Sequence, residues 1–191
     1  LTPKGFVMIT EKLIAKIPRM PMLKIPIMGE AVVGKTSIAN VLSGGGYIKD
    51  YEMTIGVDVF TRFIKVKGNT YKVYLWDIAG QKRFSALRRI FYRGSHAGLF
   101  VFDITRKETF LSLESWINDF LSHHPNVPIL IVGNKIDLED HRDVPSESGE
   151  ALAKKYSTFY IETSAKTGEN IELAFKMLIA QYIKKYAVIS L

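Results

Sequence analysis

At 191 residues, of which 47% are hydrophobic and 24% charged, the chain suits one α/β domain with a substantial core and is too short for two ordinary ones. The absence of cysteine excludes disulfides, thiolate zinc sites, thiol nucleophiles and a cysteine-borne lipid within this sequence. The net charge of +7 is spread over pairs such as Arg88-Arg89, Lys154-Lys155 and Lys184-Lys185, which reads as a solvated exterior rather than a nucleic-acid or membrane face.

Residues 1–22, LTPKGFVMITEKLIAKIPRMPM, are basic and apolar, with prolines at 3, 18 and 21 that interrupt any long helix. They lack the continuous apolar core and small-residue cleavage site of a secretory signal, and are expected to form an amino-terminal extension. No apolar run approaches the roughly 18 residues of a membrane span, so a soluble protein is expected.

From Leu23 onward, strand-length apolar runs alternate with helix-length amphipathic ones, the pattern of a parallel sheet in a single domain over 23–186, followed by a short tail, 187–191. Strands are predicted at 23–28, 57–66, 71–77, 97–103, 128–133 and 158–162, and helices at 35–42, 83–93, 106–122, 146–156 and 169–185. The second and third strands are expected to pair as a hairpin turning through Gly68-Asn69, which makes one edge antiparallel. In the last helix Ile171, Phe175, Leu178 and Ile179 fall at helical spacing and read as a core face. The loop GGGYIKDYEMTIG is too polar for the core, and loops of that length in compact domains are usually functional. The four histidines are expected at surface or helix-end positions, since none lies at metal-ligand spacing.

Gly29-x-x-x-x-Gly34-Lys35-Thr36 matches G-x-x-x-x-G-K-[ST], after the strand LKIPIM and at the head of the helix TSIANVL. In that setting the backbone N–H groups of Ala31, Val32 and Val33, and those of Lys35, Thr36 and Ser37 at the positive end of a helix, face an anion. Lys35 then reaches the β- and γ-phosphates, and the Thr36 hydroxyl coordinates magnesium. Glycine is demanded at Gly29 and Gly34; the positions between need only N–H groups, which alanine and valine also carry.

Three further strings choose the base and the reaction. Trp76-Asp77-Ile78-Ala79-Gly80-Gln81 puts Asp77 at the carboxyl end of a strand, where ligands bind in open α/β sheets. Asp77 suits a metal, directly or through water, or else caps the following turn. Gly80 can bring a bare N–H against a terminal phosphate, and Gln81 can orient a water beside it. Asn134-Lys135-Ile136-Asp137 follows the strand PILIVG, and Glu162-Thr163-Ser164-Ala165-Lys166 follows STFYI. Guanine offers two adjacent N–H donors that match the two oxygens of the Asp137 carboxylate, whereas adenine puts an acceptor where a donor is needed.

These strings resemble the Ras-superfamily small GTPases, most closely the Rab branch, over residues 23–185. TIGVDVF resembles the Rab TIGVDF segment, WDIAGQKRF resembles WDTAGQERF, FYRGSHAG resembles YYRGAH, and FDIT resembles YDIT. The resemblance implies the small G domain of the P-loop NTPases, with a six-stranded, mostly parallel sheet, one antiparallel edge strand and five flanking helices. It implies binding of GTP and GDP with Mg2+, and hydrolysis of GTP to GDP and phosphate by a molecular switch, cytoplasmic or peripheral at a membrane surface, with a role in vesicle traffic. Thr54 would meet magnesium through its hydroxyl and the γ-phosphate through its N–H. Tyr47 would pack over the guanine, unless it is a loop aromatic closing the core. Gln81 would position the hydrolytic water, while Asn134, Lys135 and Asp137 form the base-reading loop. Ala165 would offer its N–H to the guanine O6, supported by Ser164 and Lys166. The implied partners are effectors at 47–60 and 76–93, an exchange factor and a GTPase-activating protein, for a monomer that binds no nucleic acid.

The departures from the family pattern carry their own expectations. Val59 and Phe91 stand where Rab proteins usually have phenylalanine and tyrosine, so specific effectors do not transfer, and Lys82 reverses a charge in the second switch. No cysteine stands in Val188-Ile189-Ser190-Leu191, so either a tail has been trimmed or attachment is not by prenyl. Ala31 is expected beside the γ-phosphate, where its methyl crowds Gln81 and an incoming arginine. Two rivals follow: a docking module that holds GTP without hydrolysing it, and a P-loop kinase or ATPase, which NKID and ETSAK oppose.

Overall fold

The computed structural model describes residues 20–46, 54–80 and 85–187. The amino-terminal segment before Met20, Tyr47, the Gln81-Lys82 pair and the tail from Val188 lie outside the described residues.

The central strands form where apolar side chains alternate between two covered faces, whereas the edge strand 57–66 is largely exposed. They are β1 (Met22–Met28), β2 (Val57–Val66), β3 (Asn69–Ile78), β4 (Gly98–Asp103), β5 (Ile129–Asn134) and β6 (Phe159–Thr163). Their order across the sheet is β2-β3-β1-β4-β5-β6, antiparallel between β2 and β3 and parallel elsewhere. The helices are α1 (Lys35–Leu42), α2 (Ser85–Tyr92), α3 (Lys107–His123), α4 (Ser146–Lys155) and α5 (Ile171–Ala187). A 3-10 segment spans Ile136–His141. The expected fold class therefore stands, with element ends shifted by a residue or two.

The two faces of the sheet build two cores. Ile25 and Ile27 of β1, Leu99 and Val101 of β4, and Leu130 and Val132 of β5 pack with Ile38 of α1 and with Phe175, Leu178 and Ile179 of α5. The alternate residues Met28, Phe100, Phe102 and Ile131 pack on the other side with Tyr92, Trp116, Phe120 and Leu152. Each fully buried side chain of this size contributes about 1.5–3 kcal/mol, which is why both faces of the central strands read as near-continuous apolar runs.

Two local features differ from the sequence reading. The hairpin turns through Lys67 and Gly68, both at positive φ (49° and 82°), while Asn69 already pairs with Val66. This is the left-handed pair that a two-residue hairpin turn of matching twist requires. The other feature is Pro26, in the middle of β1 between two neighbouring strands. Pairing with β3 runs from Met22 to Ile27, whereas pairing with β4 is confined to Ile27 and Met28. Below that point His96 substitutes for a strand. Its backbone N–H donates to the Lys24 carbonyl at 2.9 Å, and its Nδ1 accepts the Lys24 N–H at 3.0 Å. Backbone groups two residues apart point to the same side, so the nitrogen of Pro26 faces this gap and needs no partner. His96 is thus a half-buried structural residue, contrary to the surface position expected for it, whereas His123 and His124 do lie at the end of α3.

Candidate functional site

Beyond Met28 the chain turns through Gly29 to Val33 and enters α1. Gly34 takes φ +99°, and a Cβ there would stand 2.3 Å from Asn134 Nδ2, so glycine alone fits. No side chain caps this helix and its first turn has no acidic residue. The N–H groups of Lys35, Thr36 and Ser37 thus keep the positive end of the helix for an anion. Lys35 is 5% exposed and donates from Nζ to the Glu30 carbonyl at 2.7 Å. Burial pushes its pKa down to about 8; the Asp77 and Glu30 carboxylates pull the other way, and the Arg88 guanidinium lowers it further. The two carboxylates only partly offset the burial of this ammonium, which leaves it suited to an anion such as phosphate.

The interior of the loop asks for more than the N–H groups expected of it. Val32 adopts φ +65°, in the left-handed region that a β-branched residue rarely enters, at a cost of roughly 1–2 kcal/mol. Glycine is therefore the natural occupant of position 32 as well, and Val32 holds it under strain with its side chain half exposed. Gly80 comes up against the same loop: a Cβ on it would lie 2.3 Å from the Ala31 nitrogen and 2.4 Å from the Glu30 carbonyl carbon. The end of β3 and the phosphate loop touch, backbone to backbone.

Three side-chain oxygens from three segments meet beside Lys35. Thr36 Oγ1 lies 2.5 Å from Asp77 Oδ2 and 3.0 Å from Thr54 Oγ1, which is itself 3.1 Å from Asp77 Oδ2. Asp77 is fully buried, and its Oδ1 has no hydrogen-bond partner among the described residues. Burial raises the Asp77 pKa, opposed by Lys35 and by the hydrogen bonds from Thr36 and Thr54. One carboxylate and two hydroxyls, with a carboxylate oxygen unspent, fit Mg2+, which keeps waters and takes substrate phosphate rather than an all-protein cage.

The base-reading strings come together at the ends of β5 and β6. Asn134 is buried, and both ends of its amide are used within the protein. Nδ2 donates to the Val33 carbonyl at 2.9 Å, and Oδ1 accepts from Thr163 Oγ1 and from the Ala165 N–H, each at 3.1 Å. Asn134 therefore fastens three loops together, and the Ala165 N–H, expected to face guanine O6, is shared with it. Asp137 Oδ1 accepts from Ser164 Oγ at 2.6 Å, and Lys166 Nζ stands 3.8 Å from Oδ2. Lys135, in the left-handed region at φ 77°, pairs with Asp103 at 2.6 Å.

Several residues here escaped the sequence reading. Asp103 is fully buried at the carboxyl end of β4, a strand end of the kind that marks ligand sites, and its Oδ1 also accepts from the Thr105 N–H and hydroxyl. Glu30 accepts from the Trp116 indole at 3.1 Å, and Arg106 Nη1 reaches the Ala31 carbonyl at 3.4 Å. No sequence spacing joins position 30 to 116 or 31 to 106.

An uncapped helix start behind a glycine turn, a buried carboxylate with two hydroxyls, and the Asp137 carboxylate beside Ser164, gathered at one rim of a mostly parallel sheet, fit a P-loop nucleotide-binding protein. The model of the Ras family matches residues 24–184, and the chain belongs to that family. It is accordingly a GTP-binding molecular switch of the small GTPase class, whose members bind GTP and GDP with Mg2+, generally hydrolyse GTP, and act through effectors, exchange factors and GTPase-activating proteins.

Proposed function

We propose that this chain is a Rab-like switch that hydrolyses GTP to GDP and phosphate and serves membrane traffic or related regulation, cytoplasmic or peripheral at a membrane. The observation that carries the switching part is the contact of Thr54 with Thr36 and Asp77, 3.0 and 3.1 Å away, which ties the loop before β2 to the phosphate site. The Rab assignment rests on TIGVDVF, WDIAGQKRF, FYRGSHAG and FDIT. Effectors are assigned to residues 47–60 and 76–93, where Ile55, Val59 and Ile90 are exposed and Val59 lies opposite Trp76 on β2 and β3.

In this reading the loop N–H groups from Ala31 to Ser37 bind the phosphates, and Lys35 holds its proton against them. Thr36, Thr54 and Asp77 would hold Mg2+, which when bound neutralises phosphate charge. Thr54 adds its N–H at the γ-phosphate, Gly80 brings a bare N–H to the same phosphate, and Gln81 orients the attacking water. Asp137 accepts the two N–H groups of guanine, Ser164 and Lys166 steady its carboxylate, and Tyr47 covers the base. Asp137→Asn is expected to move preference from GDP toward XDP in parallel titrations. Unchanged preference would remove Asp137 from base reading.

A second reading, a docking module that holds GTP without hydrolysing it, draws on Ala31, whose backbone Gly80 abuts, and on the strained Val32 that follows it. Single-turnover phosphate release separates the two, because a clamp releases none above the rate of Gln81→Leu.

A further inference from the structure

Trp116 stands at the middle of α3 with 2% of its surface exposed, and both faces of its chemistry are engaged. Its indole N–H donates to Glu30 Oε1 of the phosphate loop at 3.1 Å. Its ring carries the guanidinium of Arg88 from α2, with Cζ 3.4 Å from the ring centroid. Arg88 Nε is buried with no hydrogen-bond partner among the described residues, which leaves the stack on Trp116 as a main contact of this end of the side chain. A cation over an indole face is favourable, and more so away from water. Glu30 is thus connected to Arg88 through a single rigid ring, and Glu30 is also the residue whose carbonyl receives Lys35.

We propose that Trp116 is a positioning residue that couples the phosphate loop to α2: Glu30 sets the orientation of the indole, and the indole sets the perch of Arg88. The inference rests on the reading of this chain as a nucleotide switch. In the arrangement described, Thr54 is closed onto Thr36 and Asp77, and Arg88 is seated on the ring. The two contacts coexist in this arrangement, and the coupling requires that α2 leave the ring when the loop before β2 opens. Because the ring is shared, a change at Glu30 is conveyed through it to Arg88, beside the direct electrostatic influence of Arg88 on Lys35. This connection depends on an acceptor at position 30, an indole N–H at 116 and a planar cation at 88.

The chain contains two tryptophans, Trp76 and Trp116, so Trp76→Phe leaves Trp116 as the sole indole reporter. In that background the emission of Trp116 is expected to differ between GDP and a non-hydrolysable GTP analogue, and Arg88→Ala is expected to abolish the difference. Arg88→Ala should weaken the GTP analogue about three- to tenfold relative to GDP, the range a stacked cation supplies. Glu30→Ala should reduce the emission difference, while Glu30→Gln, which keeps an acceptor oxygen, should restore it. An emission difference that survives Arg88→Ala, or one that responds equally to Glu30→Gln and Glu30→Ala, overturns the coupling. Hydrogen exchange of residues 54–60 in the parent protein, with each nucleotide, tests the underlying reading separately. Identical exchange in both forms would sink the switch itself, whereas a parental difference with no effect of Arg88→Ala sinks only the role of Trp116.

Discussion

Asn134 and Val33, 101 residues apart in sequence, are joined by a 2.9 Å hydrogen bond from the Asn134 side chain to the Val33 carbonyl. It fastens the loop after β5 to the phosphate loop, and the other end of the same amide holds Thr163 and Ala165. The base side and the phosphate side of the site are one unit through this residue.

Asn134→Ala is therefore expected to speed GDP release by at least tenfold and to lower folding stability by about 1–3 kcal/mol, the range for leaving buried polar partners unsatisfied. Release of a fluorescent GDP analogue and denaturant unfolding check the two effects. Retention of the parental release rate would show that the two loops hold their places independently.

The strain at Val32 sets a second expectation. Val32→Gly relieves the left-handed backbone at some entropic cost, for a net gain of roughly 1 kcal/mol seen as a higher denaturation midpoint. In hydrolysis, Ala31→Gly removes the methyl beside the γ-phosphate position and should turn over faster than the parent, with GDP affinity nearly unchanged. Gln81→Leu should be slower than both. Single-turnover phosphate release at saturating magnesium orders the three proteins; an inert Ala31→Gly would mean that the methyl is not what slows the reaction.

Lys35 gives a pH signature. Its pKa in the protein without nucleotide is held down to about 8 by burial, and phosphate oxygens raise it on binding. Binding therefore takes up protons above pH 8, and GDP affinity falls as the pH rises through that value. For folding the sign is opposite. The unfolded lysine titrates near 10.5, so without nucleotide this group adds stability as pH rises from about 8 toward 10.5. Calorimetric titration at pH 8.5 in two buffers of different ionisation heat reads the proton uptake directly, and equal heats in both would place the Lys35 charge elsewhere.

Glu162 is expected to govern behaviour in acid. Burial would raise its pKa, but hydrogen bonds from Arg142, Ser146 and Tyr160 outweigh that and hold it below the ordinary value of 4.5. Arg142 reaches it at 2.8 and 2.9 Å, and Ser146 and Tyr160 at 2.7 Å. A depressed carboxyl pKa means stability that is present above pH 4.5 and lost as the pH falls through the folded value. Glu162→Gln should be less stable than the parent at pH 7, and the gap should close on acidification below pH 4. A gap independent of pH would assign the loss to packing instead.

What the sequence disclosed and what it withheld divide along a physical line. The turn from Gly29 to Gly34 between β1 and the helix opening at Lys35 was legible because it is built by consecutive residues, and the strands because side chains alternate along each one. The conformation of Val32 was not legible, since its side chain suits many backbones and only the turn around it imposes φ +65°. The hairpin turn was placed one residue late because Asn69 is as good a turn former as Lys67 is a poor one. Contacts such as Lys135 with Asp103, or Glu30 with Trp116, arise only when separate strand ends and helices are brought side by side. His96 was misplaced for the same reason: nothing near it in sequence announces that Pro26 leaves a strand short of a partner.

That short strand gives the sheet a direction of weakness. β1 is laced to β3 from Met22 to Ile27 but to β4 only at Ile27 and Met28, with the His96 bonds at Lys24 closing the rest. A load applied at Met22, where the chain enters the sheet, is therefore carried almost wholly by the β3 side. The seam beside Pro26 is the sparsest line of backbone pairing in the sheet, and at its upper end the Asn134–Val33 bond ties the β1 side to β5.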